Sequence, residues 1–281
     1  MIPGRGLVFS TLLACVLASC AQVASRPSPE APGLLLLGEV HDSAAGHAAR
    51  LQRLQSLVAD GWRPAIAMEQ FDREQQPALD AAMRECADAD CVIARVVPGK
   101  SGWTWAYYAP VIALALEHRL PLIAANLSRA DARKVVGEGF ASALPPALVA
   151  GEQLDAIDPA LLGVQETEVR DSHCGQLPEA MVAPMARAQI ARDVVMADTL
   201  RAHATGGVVL LAGNGHVRRD VGVPYWLRRW GFAPVAVGFL ELDADVDVFD
   251  EVVAIPKVER PDPCAAFHGV GEPGASAWRW K

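Results

Sequence analysis

The sequence predicts an α/β fold: a mostly parallel sheet flanked by helices, with a small helical insertion domain. Three observations predict it. Short apolar runs of strand length recur at residues 34–37, 64–68, 120–124, 208–212 and 234–240. Longer segments between them repeat their apolar residues at helical spacing. Several of the runs end on Gly or polar residues, as expected where parallel strands open a ligand crevice at their carboxyl ends.

The chain has 281 residues, 52% hydrophobic and 21% charged, which suits one large domain and excludes disordered, collagenous and coiled-coil classes. Its 25 basic and 33 acidic side chains give a formal charge of -8. No nucleic-acid partner is expected, because a broad footprint needs clustered Lys and Arg against phosphates.

Residues 1–19 read as a lipoprotein signal peptide. Arg5 gives a positive start, and residues 7–17 form an apolar run shorter than the roughly 20 residues of a membrane span. Leu17-Ala18-Ser19-Cys20 resembles the lipobox of bacterial lipoproteins, which makes Cys20 the lipidated first residue of the mature chain. A plain secretory signal is the bland alternative. Residues 20–32, rich in Pro, Ser and Ala, read as a tether.

Residues 33–281 form the folded domain. Leu34 to Leu37 is a buried strand ended by Gly38. A helix follows over 44–59 with Ala48, Leu51, Leu54 and Val58 at its apolar spacing, and Gly61 stops it. The strand at 64–68 completes a parallel crossover unit. Segments 74–86 and 105–119 are helical, separated by Asp88, Asp90, Pro98 and Gly99. Residues 72–118 and 129–176 read as excursions from the sheet that meet as a small helical lobe. Pro178 suits the first turn of the longest helix, to about residue 203, and Gly206-Gly207 follows its end. Residues 234–240 are a further strand, and 248–255 is an edge-strand candidate.

Export would place Cys86, Cys91, Cys174 and Cys264 in an oxidising compartment. Three pairings are open. Proximity favours Cys86 with Cys91, which leaves Cys174 with Cys264 to fasten the tail to the core; four separate buried thiols are the alternative. Their spacing fits neither a zinc knuckle nor a Cys-x-x-Cys redox pair.

Three strand ends carry residues that packing explains poorly: Gly38-Glu39-Val40-His41, Met68-Glu69-Gln70 and Gly213-Asn214-Gly215-His216. If these strands are parallel neighbours, Glu39, His41, Glu69 and His216 share one rim. Carboxylate with imidazole can activate water, and His41, His216 and Glu69 could also ligate a divalent metal. Each histidine alone is more simply a capping or core residue. Dinucleotide, phosphate-loop, His-Glu-x-x-His and Gly-x-Ser-x-Gly motifs are missing from these positions. Gln189, Arg192, Asp193 and Met196 form one helical stripe, either an internal network or support for the histidines and ligand carboxylates. With Asn214, the residues Gln189 and Asp193 are candidates to orient the site. Trp103, Trp105, Tyr107 and Tyr108 form one aromatic cluster, and Tyr225, Trp226 and Trp230 a second. Either set suits a flat ligand or plain lobe packing.

Taken as an ordered series, the strand-end motifs resemble the ChaN-type haem-binding lipoproteins of the Tiki and erythromycin-esterase-like superfamily. The series includes Trp105 to Pro110, Ala125-Asn126-Leu127-Ser128-Arg129, His173-Cys174-Gly175 and Arg192-Asp193. The resemblance implies a lipid-anchored envelope protein that binds haem in iron acquisition; Ala21 after Cys20, where inner-membrane retention often has Asp, favours the outer membrane facing the periplasm. It also implies stacked haems across a homodimer, with iron held by tyrosine and a histidine from the other subunit on propionate. Tyr107 and Tyr108 are the preferred candidates, followed by Tyr225, with Arg192 as a further cofactor contact. No Cys-x-x-Cys-His occurs, so covalent haem attachment is not implied. The same superfamily contains hydrolases, so water activation by His41 and Glu69, assisted by His216 and Glu39, is the rival expectation. A partner-binding lipoprotein with a vestigial site is the third.

Overall fold

The computed structural model describes Met1, residues 33–241 except 98 and 100, and residues 246–265 except 263. Residues 2–32, which carry the expected signal peptide, Cys20 and the expected tether, lie outside the described residues. Six parallel strands form one sheet in the order β3-β2-β4-β1-β5-β6, giving the expected α/β class.

The chain runs β1 (Leu34–Leu37), α1 (Ala44–Ala59), β2 (Ala65–Asp72), α2 (Gln76–Glu85), α3 (Ala89–Val96), α4 (Ala109–His118) and β3 (Leu122–Asn126). It continues through α5 (Arg129–Glu138), α6 (Pro146–Gly151), α7 (Pro159–Ser172), α8 (Glu179–His203) and β4 (Val208–Leu211). Then come α9 (Asn214–Val217), α10 (Val223–Arg229), β5 (Val235–Glu241) and β6 (Glu251–Ile255).

The alternation of side chains along β1 divides the core. Leu34 and Leu36 join one apolar cluster, which α5, α8 and α10 cover, while Leu35 and Leu37 join the other, under α1, α2, α3 and α4. Both faces are therefore dry, which is why β1 reads as four consecutive leucines. Segments 72–118 and 129–176 pack on opposite faces. They touch beyond β2, where Arg73 donates to the carbonyl of Ala143 at 2.9 Å and lies 3.5 Å from Asp131.

Local chemistry explains several boundaries. The Ser43 hydroxyl accepts from Gly46 N and starts α1. Arg119 takes a left-handed conformation, φ 53°, closes α4 and delays β3 to Leu122. Pro178 is the N-cap of α8 instead of a residue in its first turn. β2 does not stop at Met68 but runs to Asp72, with an irregular register against β3 between those two residues. Such a bulge re-aims side chains, and Glu69 and Gln70 lie inside it. The inner face of α1 is also rotated from the one expected: Ala48 is exposed, and His47, Arg50, Leu54 and Val58 are buried.

Disulfides join Cys86 to Cys91 and Cys174 to Cys264. The second ties the segment beyond β6 to the turn between α7 and α8. Arg260, on the same segment, makes paired hydrogen bonds to Asp42 and to Glu241.

Asn214 locks the carboxyl end of the sheet. Its amide donates to Phe239 O at 2.8 Å, and its Oδ1 accepts from Phe239 N at 3.2 Å. That oxygen stands where a Cβ on Gly38 would fall, 2.1 Å away. Gly38→Ala should thus displace Asn214 and lower unfolding free energy by about 3 kcal/mol in denaturant titration. Gly163→Ala is the control: nothing lies within 4 Å of that Cβ, on an exposed turn of α7, and it should not destabilise.

Candidate functional site

The loop after β1 carries Glu39 into the middle of the sheet's carboxyl edge, where it is 3% exposed. A carboxylate stripped of water needs protein partners, and this one has four. Arg50 pairs with Oε2. Oε1 receives Nδ1–H of His41 at 2.7 Å, the Tyr108 hydroxyl at 2.6 Å and the Gln70 amide at 3.4 Å. Burial pushes the Glu39 carboxyl up, but the Arg50 charge and the His41 hydrogen bond outweigh it and bring the pKa down to about 2.

The same cluster fixes two tautomers. Arg50 can only donate, so Nδ1 of His47, 3.0 Å away, accepts and its Nε2–H donates to His41 O at 3.1 Å. His47 is therefore neutral, in keeping with burial, which lowers its pKa. In His41 the bond to Glu39 takes Nδ1 and leaves Nε2 as the reactive atom. Burial opposes the charged ring, yet the Glu39 hydrogen bond and the Glu69 charge raise the His41 pKa. The ring is half-exposed at 53%, meets Trp103 edge-on at 5.1 Å and rests on Gly213. A Cβ on Gly213 would stand 3.1 Å from Nε2, so glycine lets the imidazole seat there.

A second imidazole approaches from β4. His216 gives Nδ1–H to Asp193 at 2.6 Å, and Gln165 supports the other Asp193 oxygen at 3.3 Å. Burial pushes Asp193 up to about 6 even with the imidazole beside it. Burial likewise disfavours the His216 cation, but the charges of Asp193 and Glu69 push its pKa up to about 8. Glu69 lies between the two histidines. Its Oε2 accepts from Gly213 N at 2.8 Å, and its Oε1 is 3.6 Å from His216 Nε2. Its own carbonyl accepts from Asn126 at 2.9 Å.

The four strand-end residues Glu39, His41, Glu69 and His216 thus share one centre, with Asp193 behind it. Arg192 lies at its edge, donating Nη1 to Asn126 Oδ1 at 2.8 Å and to Leu127 O at 2.9 Å. Gln189 is half-buried and forms no hydrogen bond among the described residues. Among those residues, no group of three or more His, Cys, Asp and Glu side chains could hold a metal ion. The trio His41, Glu69 and His216 converges, with Nδ1 of each histidine and one oxygen of Glu69 engaged by protein hydrogen bonds.

The tyrosines are dispersed. Tyr108 is fully buried with its hydroxyl on Glu39; burial first, then the Glu39 charge, pushes its pKa far up. Tyr107 is half-buried, stacks on His47 at 4.6 Å, and leaves its hydroxyl unbonded among the described residues. Tyr225 packs edge-on to Trp226 at 5.1 Å, with Arg229 over its ring, and lines a separate cavity of about 130 Å³ with Glu152. A larger cleft of about 550 Å³ borders Trp103 and Trp105 beside α3.

Sequence reasoning missed His47, Arg50, Gln70 and Gln165. A signal did exist for two of them: His47 and Arg50 precede Leu54 and Val58 at helical spacing, a cation on an otherwise apolar stripe.

No curated protein matches this chain. Among solved structures it is similar to one showing cofacial haem binding to ChaN of Campylobacter jejuni. That likeness has 20% identity and a TM-score of 0.66, over 79% of this chain and 86% of that one. A more distant likeness is to an erythromycin esterase variant in its open conformation, with 16% identity and a TM-score of 0.46, over 76% of this chain and 71% of that one. The model of the family described as haem-binding uptake, Tiki superfamily, ChaN, matches residues 30–227, more than half of the chain. This chain belongs to that family.

Proposed function

We propose that the chain binds haem or a related iron-porphyrin as cargo for iron uptake, lipid-anchored through Cys20 at the outer membrane and facing the periplasm. Family membership supports the ligand class. The structural observation that carries the reading is the aromatic setting of the buried Glu39 cluster: Trp103 meets the half-exposed His41 ring edge-on, and Tyr107 stacks on His47.

These residues fit a tetrapyrrole in a specific way. Tyr108 cannot offer a phenolate while its hydroxyl serves Glu39, which favours Tyr107 as the iron ligand, and Trp103 with Trp105 would supply flat apolar wall. A second copy of the chain would cover a porphyrin face left open by one rim. In a haemin titration followed by absorption, the wild type should develop a shifted Soret band. Tyr107→Phe should lose the visible band of a tyrosine-bound ferric haem, and Tyr108→Phe should keep it. A wild type that leaves the haemin spectrum unchanged overturns the proposal.

A second reading rests on the two carboxylate-backed imidazoles that flank Glu69. Glu39 aims His41 so that Nε2 can take a proton from water as its oxygen attacks the acyl carbon; when the adduct collapses, the ester C–O bond breaks and His41 returns that proton to the departing alcohol. His216, charged below about pH 8, can donate Nε2–H to the developing oxyanion. His41→Gln should then lower ester hydrolysis by about 10²- to 10⁴-fold. Wild-type rates no faster than buffer over a panel of acyl esters would remove this reading.

A further inference from the structure

Arg192 differs in its partners from four other arginines of the domain. Arg50, Arg218, Arg228 and Arg260 each reach a carboxylate. Arg192 is half-buried on α8, yet among the described residues no acidic side chain lies within ion-pair distance of it; Nη1 is spent on the neutral oxygens of Asn126 and Leu127. Those two bonds hold the guanidinium in a fixed orientation. Its opposite edge, Nε with Nη2, forms no hydrogen bond among the described residues, and neither atom is sealed from solvent. That edge is the side-on fork that matches the two oxygens of a carboxylate. Arg129, exposed at the start of α5, adds positive charge nearby, whereas Glu69 and Asp72 act on Arg192 only from longer range. Burial lowers the Arg192 pKa, opposed by the charges of Glu69, Asp72 and Asp193.

We infer that Arg192 is the anion subsite of the crevice, taking one carboxylate of the ligand in the fork formed by Nε and Nη2. The inference rests on the crevice being the ligand site proposed above, and it narrows the ligand to an acid. A propionate arm of a tetrapyrrole and a small free organic acid offer the same group, and the experiment separates them.

Metal-free protoporphyrin IX and its dimethyl ester are titrated against the full mature chain by fluorescence, which removes iron ligation from the comparison. The wild type should favour the free acid by about tenfold or more, Arg192→Gln should bind both alike, and Arg192→Lys should keep part of the preference. Equal affinity of the wild type for acid and ester, or a preference that survives in Arg192→Gln, overturns the inference. A parallel thermal-melting series uses succinate as the small acid. If neither porphyrin binds the wild type, the tetrapyrrole reading fails. Arg192 is then judged on this second arm: succinate should raise the wild-type melting temperature and leave Arg192→Gln unmoved. A wild type that responds to neither succinate nor porphyrin acid sinks the subsite. Because Arg192→Gln gives up the bonds to Asn126 and Leu127, its folding is checked by denaturation. The wild-type acid-to-ester ratio and Arg192→Lys decide the matter if it does not fold.

Discussion

Arg50→Ala should destabilise the domain by about 3–5 kcal/mol in denaturant titration, because it leaves the Glu39 carboxylate charged, buried and without its cation. Arg50→Met combined with Glu39→Gln should recover most of that loss, since it removes both charges and keeps the volume. The same pair sets an acid limit. Glu39 falls from 4.5 to about 2 on folding, so its contribution is complete above pH 4.5 and is lost as pH drops through 2. A shift of that size is worth roughly 3 kcal/mol. Unfolding free energy measured from pH 5 to pH 2 should fall in the wild type and fall less in the double variant. An unchanged slope in the double variant would show that other carboxylates govern acid unfolding.

Asp193→Asn should have the second large effect, on the imidazole it supports. Without that anion, burial of the ring faces only the Glu69 charge, and the His216 pKa should drop from about 8 to below 6.5 in an NMR titration of the ring protons. The accompanying stability change has a definite sign. In the wild type both partners have folded-state pKa values above their unfolded ones, Asp193 at about 6 and His216 at about 8. The folded pair therefore holds protons longer than the unfolded chain, and its contribution decreases as pH rises from about 4 through 8. Asp193→Asn should flatten that decline. A ring that still titrates near 8 in the variant would assign the shift to Glu69.

Much of this architecture is legible in the sequence, for a physical reason. A strand buried on both faces needs uninterrupted apolar side chains, and the leucines of β1 or the run at 208–211 admit few other uses. The long helix α8 is likewise plain from its length and flanking residues. The phase of α1 is harder to read. The helical spacing of His47 and Arg50 ahead of Leu54 and Val58 hints at it, and the burial of Glu39 gives the reason a cation faces inward. The string of letters does not show that β2 continues through Glu69 and Gln70, because a bulge is a property of two strands and not of one. The tyrosines illustrate the same limit. Adjacent residues on a helical turn diverge by about 100°, so Tyr107 and Tyr108 cannot share an environment. Which one turns inward depends on how the short turn at Trp105–Tyr107 seats against Phe71 and Glu39, a contact made only after the sheet assembles.

The bridge between Cys174 and Cys264 spans 90 positions of chain. By the loop-entropy account, closing a ring of that size is worth roughly 4–5 kcal/mol, on the order of the whole net stability of many domains. Maturation in a compartment that keeps thiols reduced would forgo that margin. The segment beyond β6 would then depend on the Arg260 contacts to stay against the loop that presents His41, so the oxidative history of the molecule becomes part of what shapes its ligand-facing edge.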